Sequence, residues 1–192
     1  MSADSQTLNA IKAGTALYSL LLPKRESMAA RWVEIVHGTY PFDTIGFLRT
    51  RKDRFANPVG YRTEEAAKAL MDVLFADQPD EDALRRAVDE IIRVRAVQDF
   101  APETAVGVFF ALKDIVRQVV EESNQLAEVM PALLKLESRI DAVVLMAFGA
   151  YARFRETLHL MKVDEFKRLN SQILRLAEKK AANTTDEADT NN

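Results

Sequence analysis

Arg95 is the residue of this sequence best placed for chemistry, because helical periodicity puts its charge where a charge is costly. At about 100° per residue, Leu84, Val88, Ile91 and Ile92 form an apolar stripe. Arg93 falls on the opposite side, but Arg95 falls near the middle of the stripe, with Gln98 and Asp99 beside it one turn later. A guanidinium keeps its charge inside a protein, so it needs a partner or a polar cavity. The chemistry on offer is an ion pair or the recognition of an anion.

The later helix carries candidate partners. Glu137 lies inside its apolar stripe and Asp141 at the edge, so Arg95 is expected to pair with one of them in the core. In the plainer reading the pair only fixes helix register. In the functional reading Arg95, Gln98, Asp99 and Glu137 line a cavity. An anionic head group such as a fatty-acid carboxylate then meets the arginine, and its tail lies among Trp32, Phe109, Phe110 and Phe148.

Other chemistry is poorly provided for. The chain has two histidines and no cysteine, which leaves no converging set of zinc ligands and no disulfide. His37 is expected on the outward face of its helix and His159 at the edge of its stripe. No Gly-rich phosphate loop or nucleophile elbow appears, and no carboxylate pair stands out for acid–base work. No metal, no catalytic residue and no enzyme activity are expected.

Composition narrows the class further. At 192 residues with 48% apolar and 29% charged residues, the chain is one soluble domain with a sizeable core. The formal charge is -3, and the tail after Lys180 holds Asp186, Glu187 and Asp189 without a basic residue. The remainder is nearly neutral, so nucleic acid is not an expected partner. The N-terminus lacks a basic n-region, and no apolar run reaches the ~18 residues of a membrane span. A cytoplasmic protein without membrane insertion is expected.

The elements that must position these residues are helical throughout; strand alternation is absent. Leu8 to Leu22 is apolar on two sides, which suits a subunit interface and makes Leu17 and Leu21 dimer candidates. Pro23 opens a helix to about Gly38 whose inward face is Met28, Trp32, Ile35 and Val36. Asp43 caps a short helix through Leu48, and after the Asn57–Gly60 turn Thr63 caps another to about Phe75. A helix from near Asp80 to Gln98 follows. The next begins at Pro102 and presents Val106, Phe109, Phe110, Leu112, Ile115, Val116 and Val119, with Gly107 admitting close packing. From Pro131 the pattern runs about 50 residues, or roughly 75 Å. Its first half packs inward through Leu133, Ile140, Val144, Ala147, Tyr151 and Phe154. Phe166, Leu169, Ile173 and Leu176, at spacings 3, 4 and 3, give the second half coiled-coil character. Disorder is expected over 181–192.

Arg31-Trp-Val-Glu-Ile-Val36 with Thr39-Tyr-Pro41, then Asp53-Arg-Phe-Ala-Asn-Pro-Val-Gly60, resemble the N-terminal sensor domain of the RsbR-type RsbT co-antagonist proteins of the bacterial stressosome. Ile92-Arg-Val-Arg-Ala-Val-Gln-Asp-Phe100 and Glu137-Ser-Arg-Ile-Asp141 follow in the same order, and the resemblance covers roughly residues 24–168. It implies an all-α, globin-like helical bundle without haem, usually dimeric, acting as the input module of a signalling protein in stress-response regulation. On that basis 1–165 is the sensor domain, 166–180 a projecting helical extension and 181–192 an acidic tail. A globin would hold haem through helices corresponding to 81–98 and 63–75, and neither contains a histidine. The best-known members continue into a STAS domain that this sequence does not show, so the output passes through the dimer interface and the C-terminal helix to another, unknown regulatory protein. The alternative is an interaction adaptor with no small-molecule ligand.

Overall fold

A computed structural model describes residues 14–50, 55–76 and 80–189. The chain divides into two compact units, Met1–Ala152 and Arg153–Asn192. The described residues are helical with no strand, as the periodicity predicts. In chain order they form α1 (residues 14–21), a 3-10 turn Leu22–Lys24, α2 Arg25–Gly38, α3 Phe42–Thr50, α4 Pro58–Leu74, α5 Glu81–Val97, α6 Pro102–Gly107, α7 Ala111–Glu122 and α8 Leu126–Asp189.

In the first unit α2 packs on both α4 and α7, and α4 packs on α5. Two neighbours on different sides give α2 a wide buried arc of Met28, Ala29, Trp32, Val33, Val36 and His37. That arc corrects the sequence reading twice. His37 is only 2% exposed rather than outward, and Ile35, expected inside, is 41% exposed. Hydrophobicity alone centred the face one position away from where the neighbours lie.

Leu17 and Leu21 are fully buried in the chain's own core rather than offered as a dimer face. Leu8, Ile11 and Ala13 lie outside the described residues. Leu112, Ile115, Val116, Val119 and Val120 of α7 are all buried, each worth about 1.5–3 kcal/mol relative to exposure. Within the first unit α8 buries Val129, Leu133, Leu136, Ile140, Val143, Ala147 and Ala150.

Several boundaries move for identifiable reasons. α4 starts at Pro58, not after Thr63, because Asn57 caps it: its side-chain oxygen accepts from the Gly60 amide at 2.8 Å. The Asn57 amide group donates back to the Leu48 carbonyl at 3.0 Å, tying α3 to α4. A Cβ at Gly60 would collide with the Asn57 side chain, so a larger residue there would push the cap aside. The predicted helix from Pro102 breaks into α6 and α7. Gly107, expected to admit a neighbour, has open space where a Cβ would stand. α8 starts before Pro131, which the helix accommodates near its N-terminal end.

In the second unit, residues 153–189 are helical, and Phe166, Leu169 and Ile173 are 65%, 52% and 63% exposed. The Leu176 side chain lies outside the described set, as do Asp53 and Arg54.

Candidate functional site

Arg95 sits on the last turn of α5. Asp80 starts that helix by accepting the amides of Asp82 and Ala83 at 2.9 and 3.0 Å. At the other end the chain turns sharply through Asp99, whose φ of 62° lies in the left-handed region. The Phe100 amide donates to the Arg95 carbonyl and the Asp99 amide to that of Ala96, at 3.2 and 3.3 Å. This is the two-bond helix terminator usually built on glycine. It brings the Phe100 ring back over the side chain of Arg95.

The guanidinium is buried, with 1% of the residue exposed. Nε donates to the Ala105 carbonyl at 3.1 Å. Nη2 donates to the Thr104 carbonyl at 2.8 Å and to the Thr39 hydroxyl at 2.9 Å. Those carbonyls are free because the segment after α6 tightens. The amides of Val108 and Phe109 both point to the Val106 carbonyl instead of reaching four residues back to Thr104 and Ala105. The Leu112 amide likewise turns to Phe109, and the Val108 carbonyl it leaves accepts Trp32 Nε1 at 2.7 Å. One break in a helix thus releases three carbonyls, and two long side chains from other helices claim them.

Aromatic rings complete the enclosure. The guanidinium carbon is 4.3 Å from the Phe100 ring centre and 5.9 Å from that of Tyr40, within cation–π range. The two rings meet edge to face at 4.9 Å. Tyr40 donates its hydroxyl to Gln98 Oε1 at 2.7 Å, and Tyr151 of α8 donates to the Phe100 carbonyl at 2.5 Å. Burial pulls the Arg95 guanidinium below the ordinary arginine range, with the Tyr40 phenol acting weakly the other way. Burial also pushes the Tyr40 phenol up, against a smaller opposing effect of Arg95. Among the described residues Arg95 has no carboxylate partner, and its Nη1 is buried without a hydrogen bond.

That arrangement corrects the expected pairing. Glu137 binds Arg117 in a two-pronged contact, 2.7 and 3.0 Å, and Asp141 binds Lys113 at 2.6 Å. Both acids face α7, whose basic residues reach them at lower desolvation cost than a buried arginine would. The eight residues named for a cavity are not brought together. Arg95, Gln98 and Asp99 share one end of α5, and Glu137 is engaged with α7. Trp32 and Phe109 pack against each other with ring centres 5.3 Å apart and no chamber between them. Phe110 and Phe148 are 50% and 56% exposed.

Two hollows adjoin these elements. One of ≈ 320 Å³ is lined by Tyr40, Pro41, Thr44, Gln98, Asp99 and Phe100. Another of ≈ 250 Å³ lies between α2 and α4 and includes Glu34, His37, Glu64 and Lys68. Among the described residues no three His, Asp or Glu side chains are grouped to hold a metal ion, and no helix is long and apolar enough to cross a membrane.

The model of the RsbT co-antagonist protein RsbRD N-terminal domain matches residues 26–165, well over half of the chain. The chain belongs to the RsbRD N-terminal domain family. The matched region includes all of α3 through α7, α2 from its second residue, and every residue of the Arg95 enclosure. Family membership makes this in general a stressosome-type regulatory sensor domain. No curated protein and no solved structure matches the chain.

Thr39, Tyr40, Phe100, Thr104 and Ala105 were not legible as partners of Arg95 from this RsbRD N-terminal domain sequence. Four are reached through backbone oxygens or a ring, which periodicity does not report. The one usable signal was Pro102 following shortly after Asp99-Phe100, a mark of a helix stop.

Proposed function

We propose that this protein is a non-catalytic regulatory input module of the stressosome RsbR N-terminal type. It works as a cytoplasmic homodimer, without haem, and passes its signal through the dimer interface and C-terminal helix to a separate regulatory protein. Beyond family membership, one observation carries the reading. Phe166, Leu169 and Ile173 stand exposed at spacings of 3 and 4 on a single helix. Large apolar side chains in such a stripe are what a helical partner covers.

Sedimentation equilibrium of the full chain and of Leu169→Asp/Ile173→Asp tests this. A dimer that falls apart in the double variant is the expected result. Unchanged self-association in the variant, or a monomeric wild type, would remove the C-terminal helix from the proposed output. A ligand-free adaptor is the second reading, favoured by the direct packing of Trp32 on Phe109. Native mass spectrometry of protein purified without refolding separates the two: a defined adduct supports the sensor, a bare dimer the adaptor.

A further inference from the structure

We propose that the Arg95 enclosure is a gated binding site for a small monocarboxylate, entered from the neighbouring groove when the Tyr40–Gln98 hydrogen bond opens. The inference deepens the regulatory reading, and only the use of the ligand as a signal rests on that reading.

The electrostatics come first. A guanidinium with 1% of its residue exposed and no carboxylate partner among the described residues is a cation without a counter-charge. Carbonyls, a hydroxyl and aromatic faces solvate it but do not neutralise it. Its Nη1 hydrogens remain unused. A carboxylate oxygen is the acceptor that answers both deficits, since charge-assisted bonds to arginine are the strong ones.

The route comes second. The rings that cover the guanidinium, Tyr40 and Phe100, are also walls of the ≈ 320 Å³ groove. That volume stands at the lower end of ligand pockets, roughly 300–1,000 Å³, so the ligand is small. Tyr40 is held over the site by its hydroxyl bond to Gln98, an exposed side chain at the rim. That bond is the hydroxyl's tie to the rim; once it is broken, only the ring contacts with Phe100 and Arg95 hold Tyr40 in place.

Selectivity comes third. Sulfate and phosphate have no apolar body to cover the ring walls of this groove, whereas a monocarboxylate presents its charge to the guanidinium and its carbons to the rings. Tyr40, Pro41 and Phe100 offer apolar surface to the body of the ligand, and the Thr44 hydroxyl and Gln98 amide can bind a second carboxylate oxygen. Benzoate and butyrate fit this description; phosphate and sulfate do not.

Calorimetric titration of the full chain with benzoate, butyrate, sulfate and inorganic phosphate tests the proposal. The Arg95 Nε–H resonance, assigned by its loss in Arg95→Lys, is followed in parallel. Expected are binding of benzoate and butyrate with a shift of that resonance, and at least about a tenfold weakening in Arg95→Gln. Tyr40→Phe, lacking the latch bond, tightens binding about fivefold, the worth of one hydrogen bond. Thr44→Phe fills the groove from an exposed helix and abolishes binding, which keeps the test decisive even if Arg95→Gln fails to fold. Absence of carboxylate binding in both wild type and Tyr40→Phe overturns the proposal. So does binding that survives Thr44→Phe, or sulfate and phosphate binding as tightly as benzoate. None of these results depends on oligomeric state, so they are separable from the outcome of the helix test.

Discussion

Arg95 and Phe100 hold each other at two points: the Phe100 amide binds the Arg95 carbonyl at 3.2 Å, and the Phe100 ring lies 4.3 Å from the Arg95 guanidinium carbon. The first contact ends α5; the second covers the charge that α5 carries into the core. A single left-handed residue, Asp99, makes both compatible. The stop of one helix and the solvation of a buried cation are therefore one piece of geometry.

Arg95→Met tests how that cation is accommodated. The change leaves the Thr104 and Ala105 carbonyls without their donors, at about 1–3 kcal/mol for each buried unsatisfied group. It also removes an unneutralised buried charge, which offsets part of that loss. A net destabilisation of about 1–3 kcal/mol in urea unfolding is expected, below the ~3–5 kcal/mol of breaking a buried ion pair. A loss in the higher range would mean that a counter-charge had been removed from its partner.

Tyr40 sets an alkaline limit. Its folded-state pKa is raised, chiefly by burial, above the ordinary ~10 of an exposed phenol. The neutral form is thus preferred when folded. The stability it contributes is complete below pH ~10 and is lost as pH rises through the folded value. Tyr40→Phe is expected to cost about 1 kcal/mol at pH 8, for the bond to Gln98. It should also show a shallower fall in urea midpoint between pH 9.5 and 11. An identical alkaline slope in the two proteins would contradict the burial of the hydroxyl.

Glu137 acts at the other end of the scale. Its carboxyl is held below the usual range by the hydrogen bond from Arg117, with burial opposing. A depressed carboxylate stabilises the fold above its unfolded pKa of about 4.3, and that contribution is lost as pH falls through the folded value. Glu137→Gln should therefore melt slightly lower than wild type at pH 7 and approach it below pH 4. Because Arg117 is exposed, the difference at pH 7 is expected to shrink in 1 M salt.

Leu17→Ala and Leu21→Ala separate core from interface. Both side chains are buried in the chain's own first unit, so each truncation is expected to cost about 2–5 kcal/mol. The dimerisation constant, corrected for the folded fraction, should stay unchanged. A variant that kept its unfolding midpoint but dissociated the dimer would put these residues in the interface instead.

What the sequence disclosed follows from what periodicity measures. The helical class, the bounds of α5 and the misplacement of Arg95 in an apolar stripe were all legible, because each depends on the spacing of side-chain types along one helix. The partner of Arg95 was not, since its acceptors are two backbone carbonyls and a threonine hydroxyl on distant elements. Acidic residues on the later helix drew the pairing toward Glu137 and Asp141, which α7 had nearer cations to satisfy. The split of the Pro102 helix was hidden for a related reason. Nothing in its composition forbids a continuous helix; donors arriving from α5 and α2 make the tighter turn affordable.

The tight turn after α6 also bears on how freely this site can change. It presents Arg95 with the carbonyl oxygens of Thr104 and Ala105, and Trp32 with that of Val108. Those atoms belong to every amino acid. Replacement of either side chain at 104 or 105 by any residue that keeps the local backbone leaves the arginine's acceptors in place. Arg95 and Trp32 are therefore anchored by the path of the chain, and the side chains of Ala105, Val108 and Phe109 are constrained by their burial and not by this bonding.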